Sequence, residues 1–386
     1  MGSILTLNAG SSSIKFGLYD PDGPNRHFSG QIAGIGGPQA EFKVRGSQIP
    51  APASFRANDH NEALAGLLTW LSHYLGKAPA VVSHRIVHGG ERYASAVELT
   101  EPTIAYLESL TPLAPLHQPH GLAAIHAVTR LLPTTPQIAC FDTAFHQTQA
   151  SLQQRFALPR SWHDRGVRRY GFHGLSYEYI ADQLPTVLDT HPGRVVVAHL
   201  GNGASACAIQ NGRSVASTMG LTALDGLMMG SRCGRLDPGV VLYLQQTGGL
   251  SLDDTADLLY KQSGLLGVSG ISSDMRQLLG EESPQAQEAI ELFCLSAARE
   301  IASLLVPLGG LDALIFTAGI GENAPEIRAR IVDHLAWLNI ELDPQKNAAN
   351  AQHIATVRSG VAVCVIATDE EIMLARHAAN WLQRLC

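Results

Sequence analysis

Charge is scarce in this chain, and it is spread too thinly to favour a polyanionic partner. Only 16% of its 386 residues are charged, against about a quarter in an ordinary globular protein. With 45% apolar residues beside it, that scarcity excludes both a disordered chain and a charge-rich coiled coil. The net charge is −7 and no run or tail of Lys and Arg is present, so no nucleic-acid surface and no anionic-membrane surface is expected. Long apolar runs are missing too. The best, residues 301–320, is broken by Pro307, Gly309, Gly310 and Asp312, short of the ~18 apolar residues that mark a membrane span. The opening MGSILTLNAG has no basic segment and no cleavage site, which argues against a secretion signal. Gly2 and Thr6 meet a loose myristoylation pattern, but residues 4–7 read as the first core strand. Six cysteines stand apart with no CxxC pair. That excludes a zinc ribbon and a disulfide framework, and it fits a reducing cytoplasm.

What the chain does have is glycine, 37 residues of it without a collagen period, and a recurring order of strands. At roughly 150 residues per domain its length allows two or three domains. ILTL, the polar loop NAGSSS and the alternating IKFGLY open the chain, followed by a DPDGP turn and RHFSGQI. From Arg194 the same order returns as RVVVAHL, GNGAS, ACAI, a hairpin turn at Asn211 and Gly212, and SVAS. The fold class expected is therefore α/β, with two duplicated domains that each open on a hairpin around a polar loop and a cleft between them. The boundaries expected are 1–145 plus 372–386 for the first domain and 146–371 for the second. Helices interleave: a capping box of Asp59 and Glu62 precedes Leu64, Leu67, Leu68, Leu71 and Leu75, and a second helix lies near residues 120–132. Ile290, Phe293, Ala297, Ile301 and Leu304 share a later face, which Pro307 and Gly309 should end. Thr368 and Glu371 are placed to cap the last helix.

Several segments carry chemistry. Asn8 to Lys15 (NAGSSSIK) offers backbone N–H groups, hydroxyls and one ammonium between two strands, a cradle for an oxyanion. Alone it reads equally as a Ser-rich turn, and its second copy HLGNGAS tilts the balance. It is not a Walker A loop, because a strand follows it rather than a helix. GNGASA and GIGENA both match a loose dinucleotide pattern. A hairpin after Gly201 breaks the first, while Gly319 with Asp343 keeps a dinucleotide reading open beside that of a nucleotide-binding strand–helix corner. Arg85, Arg232 and Arg276 stand in glycine-punctuated loops or at strand ends, where anion binding competes with surface ion pairing. Asp142 follows an apolar strand, as an active-site carboxylate or a helix cap. His173 lies in an aromatic and glycine context that also suits a core histidine. His84 and His88 are four apart on a strand, a poor metal pair. Asp369, Glu370 and Glu371 sit at a helix start, where carboxylates favour the dipole in any case.

In order, LNAGSSSIK, HRIVHGGE, FDTAFH, YGFHG, HLGNGAS, MGSR and FTAGIGEN closely resemble the acetokinase family, within the superfamily of acetate and sugar kinases, heat-shock chaperones and actin. The resemblance runs from Leu7 to TDEE. It implies two RNase-H-like (actin-like ATPase) domains, the second inserted before the last helix of the first. It also implies a homodimer in the cytoplasm and ATP/ADP as co-substrate with Mg²⁺ (or Mn²⁺). The reaction implied is reversible phosphorylation of acetate, or another short carboxylate such as propionate, to its acyl phosphate (acetyl phosphate from acetate). By the same resemblance Asn8 and Glu370 place the metal, and Ser11, Ser13 and Lys15 contact phosphate. Arg85 and Arg232 bind carboxylate and the phosphoryl group in transfer, His173 hydrogen-bonds that group, and Asp142 orients substrate or arginine. His199, Gly201, Asn202 and Gly203 form the second phosphate loop. Asp274, Met275 and Arg276 flank the nucleotide above Gly319, Ile320, Gly321, Glu322 and Asn323. Val87, Leu116 and Phe172 wall the acyl pocket. Two departures stand out. Ala223, also on that wall, replaces a common proline, and Arg235 replaces a residue that is often acidic. An actin-like or chaperone ATPase module and a nicotinamide-dependent oxidoreductase are the readings from other classes.

Overall fold

The computed structural model describes residues 2–385 apart from 11, 23–24, 38–39, 47–49, 53, 77 and 189–192. Two compact units emerge, Met1–Phe145 with Asp369–Cys386, and His146–Thr368. In the first unit seven strands form one sheet: β1 Ile4–Ala9, β2 Ser13–Tyr19, β3 Arg26–Ala33, β4 Glu41–Arg45, β5 Val81–Ile86, β6 Val97–Glu98 and β7 Gln137–Phe141, in the order β4-β3-β2-β1-β5-β7-β6. β1 and β2 pair antiparallel across the NAGSSSIK tip, whereas β1, β5 and β7 run parallel. In the second unit β8 Arg194–Leu200, β9 Ala204–Gln210, β10 Arg213–Ser217, β11 Ala313–Thr317 and β12 Ala362–Val365 stand in the order β10-β9-β8-β11-β12. Again the first pair is an antiparallel hairpin, and β8, β11 and β12 are parallel. Both sheets thus share a three-strand meander continued by parallel strands, the duplicated RNase-H-like order. β7 and β11 are buried at every position, as parallel strands covered on both faces require.

Helix boundaries follow local chemistry, with three corrections to the expected caps. Asp59 does cap helix His60–Leu75 by accepting from Glu62 N. The Glu62 carboxylate, however, accepts from Asn58 N at 2.8 Å rather than from its own cap residue. Helix Pro284–Leu308 runs through Pro307 and stops at Gly309, where φ of 69° suits glycine. The last helix, Glu370–Gln383, is capped by Asp369, not by Thr368 and Glu371. The chain returns to the first unit at Asp369, ahead of residue 372, because Asp369 also binds Arg26 at 3.0 Å. Among the described residues no helix is long and apolar enough to cross a membrane.

Burial has a consequence for acid stability. Removal from water pushes His84, His88 and His146 down from 6.5 to about 4. Each is neutral in the folded chain and charges near its ordinary pKa in the unfolded one. Stability is therefore full above pH 6.5 and falls as the pH drops towards 4, by up to about 3 kcal/mol per histidine. Urea midpoints at pH 7 and pH 5 check this. The midpoint should fall, and His146→Gln should make the fall shallower. A flat profile would contradict it.

Candidate active site

In the first unit the site is built on a strand end and a hairpin tip. Arg85, near the end of β5, points its guanidinium at Asp142, which directly follows β7 and is 1% exposed. Both carboxylate oxygens of Asp142 accept from Arg85, at 2.9 Å and 2.6 Å, a bidentate pair. Arg85 also donates to Asn8 Oδ1 at 3.2 Å and lies 3.5 Å from Glu370. Burial raises the Asp142 carboxyl above its ordinary range, and Arg85 only partly offsets this. Burial works to lower the Arg85 pKa, but Asp142 and Glu370 carry it above the usual arginine value. Asp142 is thus neither a helix cap nor a free base. It is a buried carboxylate committed to aiming one arginine.

The tip itself is closed by Gly10 N donating to Ser13 O at 2.8 Å. His60 Nε2 holds its outer side by donating to Gly10 O at 2.7 Å. Lys15 pairs across the hairpin with Asn8 and is exposed. Burial raises the Glu371 carboxyl, and Lys15 pulls it down. Ser11 lies outside the described residues. Asn8 and Glu370 offer hard oxygen donors on the same guanidinium, and no cluster of three or more His, Cys, Asp or Glu fit for a metal occurs among the described residues. That sparse oxygen set suits a cation that keeps its waters and leans on ligand phosphates, and it would not hold zinc. Val87 and Leu116 are both half-buried in this unit.

The second unit repeats the device. Its β8–β9 tip closes through Gly201 N and Gly203 O, 3.2 Å apart. Gly230 lies close under Asn202, since a Cβ there would stand 1.9 Å from Asn202 Oδ1 and displace that side chain. His173 is not a core histidine. It begins helix Gly174–Val187 with φ of 58°, a left-handed conformation that costs energy outside glycine. Its ring stacks on His199 at 4.2 Å, and its Nδ1 is 2.8 Å from Ser205 Oγ, which Tyr177 OH meets at 2.5 Å. His199 in turn holds Ser176 at 2.8 Å. This fixes the outward nitrogen of His173. A Cβ on Gly203 would lie 3.5 Å from His173 Nε2 and 3.8 Å from Arg232 Nη1, so histidine and arginine converge on the tip. Burial lowers the Arg232 pKa, and its Nη1 donates to Ala223 O at 3.1 Å. Phe172 is buried and its carbonyl accepts from His146 Nε2 at 2.9 Å.

A cavity of about 560 Å³ joins three separate segments of this unit: Gly201 and Asn202 of the tip, Asp274 to Arg276, and Gly319, Ile320 and Asn323. Arg276 is exposed and paired with Asp274 at 2.6 Å. Two residues of the GIGEN run face elsewhere, contrary to expectation. Gly321 packs against the Ala198 carbonyl, where a Cβ would approach to 3.6 Å. Glu322 turns inward and accepts from Ala318 N at 2.8 Å and Thr368 N at 3.1 Å. The run is itself helical, Ala318–Asn323. Asp343, the acidic residue of the dinucleotide alternative, caps a separate helix, Pro344–Ala348. Sequence reasoning missed Arg328, which is fully buried. It donates to Gly321 O, Glu322 O and Asn347 O at 2.7–3.1 Å, and also to the side chains of Asn347 and Asn350. Arg330, also between Ile327 and Ile331, pairs with surface carboxylates instead, so the sequence held no signal that separates the two arginines.

The model of the acetokinase family matches residues 3–376. The acetate kinase of Rhodopseudomonas palustris is 51% identical over 97% of this chain and 97% of its own. Among solved structures, a propionate kinase from Francisella tularensis subsp. tularensis has a TM-score of 0.92 at 36% identity, covering 98% of this chain and 99% of that one. The acetate kinase of Porphyromonas gingivalis has a TM-score of 0.87 at 35% identity, covering 99% and 100%. With a family model spanning nearly the whole sequence and two actin-like ATPase domains in the fold, the chain belongs to the acetokinase family.

Proposed function

We propose that the protein catalyses reversible phosphorylation of acetate to acetyl phosphate, with ATP/ADP as co-substrate and Mg²⁺ (or Mn²⁺) as cofactor, by direct in-line transfer. The observation that carries this reading is the convergence of His173 Nε2 and Arg232 Nη1 on Gly203, next to the cavity that Gly201 and Asn202 line. Acetate is already ionised, so the chemistry asks for no general base. The obstacle is charge. One pair of like charges at ~4 Å and an effective dielectric of ~20 costs roughly 4 kcal/mol. Arg85, aimed by Asp142, takes the carboxylate. Arg232 and His173 take the equatorial oxygens of the phosphoryl group, and Ser13 and Lys15 add donors at the first tip. An acetate oxygen forms the new bond to the γ-phosphorus as the bond to the ADP oxygen breaks, and no phosphorylated residue intervenes. A metal ion held near Asn8 and Glu370 would neutralise phosphate charge. Trapping the product with hydroxylamine tests the reading. Acyl hydroxamate should appear with ATP and Mg²⁺ and vanish with chelator, and its absence with every short carboxylate would overturn it.

Propionate is the second substrate to consider, because the Francisella neighbour is a propionate kinase. By the family resemblance Val87, Leu116 and Phe172 are the residues expected to face the acyl group, and Ala223 in place of proline is expected to admit one more carbon. A methylene in such a pocket is worth only about 1–3 kcal/mol. Acetate should therefore be preferred, propionate used within roughly tenfold, and butyrate clearly worse. Ala223→Pro keeps the carbonyl that Arg232 uses and should lower kcat/KM for propionate more than for acetate. Equal losses would remove Ala223 from the pocket.

A homodimer is part of the same reading, and helix Pro238–Gln246 supports it. That helix has no buried residue, yet Leu242 is 55% and Tyr243 62% exposed, with Leu252 nearby in sequence at 76%. An apolar strip of this kind on a surface asks for a cover, here a second copy. Leu242→Asp should shift the sedimentation coefficient to that of a monomer. An unchanged value would place the contact elsewhere. The free cysteines and the acidic balance fit a cytoplasmic enzyme.

A further inference from the structure

We propose that Arg169 and Asp225, backed by Glu300 and Arg235, are positioning residues that set Arg232 through the loop of residues 218–226. This rests on the role given to Arg232 above. The loop delivers the Ala223 carbonyl to Arg232 Nη1 at 3.1 Å, so wherever the loop sits, one edge of that guanidinium follows. Its ends are tied by backbone bonds: Thr218 N to Ala206 O at 3.0 Å, Tyr170 N to Gly220 O at 2.9 Å and Arg235 N to Gly226 O at 2.8 Å. Its middle is tied by charge. Asp225 Oδ2 accepts from Arg169 Nη1 at 2.9 Å, and Asp225 Oδ1 accepts from Gly226 N at 2.9 Å. Arg169 is itself braced, its guanidinium 4.6 Å above the Phe156 ring. The ion pair packs directly over the loop backbone at Gly220. A Cβ on Gly220 would meet Asp225 Oδ2 at 2.6 Å and Arg169 Nη1 at 3.3 Å.

The second ion pair completes the arrangement. Glu300, on helix Pro284–Leu308, is 7% exposed. Burial pushes its carboxyl up, and Arg235 at 3.1 Å pulls it down. Asp225 and Arg169 act on Glu300 in opposite senses, and all four charges line one cavity of about 160 Å³. Signs therefore alternate from Arg169 to Asp225 and from Glu300 to Arg235. A single buried carboxylate here would repel Asp225 from its place. Arg235 prevents that, although its own exposed pair is worth little directly.

Asp225→Asn tests the proposal, since it keeps the volume and an acceptor for Gly226 N while removing the charge. A misplacement of about 1 Å can cost up to roughly 10²-fold in rate, so kcat/KM for acetate should fall about 10- to 100-fold. The Kd for ADP should stay within about twofold, because the cavity at Gly201, Asn202 and Gly319 shares no residue with this loop. A crystal structure of the variant should show Arg232 Nη1 displaced from the Ala223 carbonyl. Arg169→Lys, which keeps the charge, should retain most of the activity. Should Asp225→Asn not fold, Arg169→Gln carries the same expectations. An acetate kcat/KM within about twofold of wild type with Arg232 unmoved would overturn the proposal, and so would a parallel weakening of ADP binding. If the wild-type enzyme makes no acyl phosphate, the functional reading fails instead, and the Arg232 displacement still decides this one.

Discussion

Arg232→Ala should lower kcat/KM for acetate by at least about 10²-fold with the fold intact. Charge-assisted hydrogen bonds to an anion in a water-poor site are worth a few kcal/mol each, and every 1.4 kcal/mol is tenfold. Burial already lowers the Arg232 pKa, so the group is held where solvent screens it poorly, and its charge is effective there. Arg85→Ala should cost at least as much in rate for a different reason. It removes the group proposed to bind the substrate carboxylate and also strands Asp142, 1% exposed, without its bidentate partner. Removing one member of a buried pair destabilises by about 3–5 kcal/mol, so this variant should also lose stability, whereas Arg232→Ala should lose little. Steady-state kinetics and urea unfolding on both variants, with Arg85→Lys as control, separate the two effects. Near-wild-type turnover in both would remove these arginines from the reaction.

Arg328→Leu should destabilise as strongly as Arg85→Ala, by about 3–5 kcal/mol. The guanidinium is fully buried with no acidic partner among the described residues, and removal from water drives its pKa down to about 10. Neutral oxygens alone compensate it. Deleting it orphans the carbonyls of Gly321, Glu322 and Asn347 together with two Asn side-chain oxygens. Asn347 cannot simply turn its amide round, because its Nδ2 donates to Pro325 O at 2.8 Å. Two of the orphaned carbonyls belong to the helix Ala318–Asn323 that borders the large cavity, so ADP affinity should weaken along with the urea midpoint. Arg328→Lys should recover only part of either, since one ammonium cannot span the fork. An unchanged midpoint in Arg328→Leu would mean that water replaces the guanidinium at no cost.

What the sequence determined by itself is what short-range rules govern. The β1–β2 and β8–β9 hairpins, the turn at Asn211 and Gly212, and the Asp59 cap follow from residue order within a few positions. So does the repetition of one strand order in two halves, and the glycine-marked tips announce close backbone approach. Tertiary structure alone decided which groups those tips meet. Arg85 and Asp142 are 57 positions apart, and only the parallel pairing of β5 with β7 makes them a bidentate pair. His173 was legible as a residue but not as a strained, stacked one, since its conformation depends on Ser205 and His199 from another hairpin. Glu322 sat in a motif that pointed to a ligand, yet its carboxylate is spent on Ala318 N and Thr368 N, because unsatisfied buried N–H groups are costly. Arg328 is read from the sequence as one more helix charge beside Arg330, and only Asn347 and Asn350, about twenty positions later, show that it is buried and paired. Periodicity reports which face of an element is buried. It carries no information on what lies across from that face, and the chemistry of this protein depends on those partners.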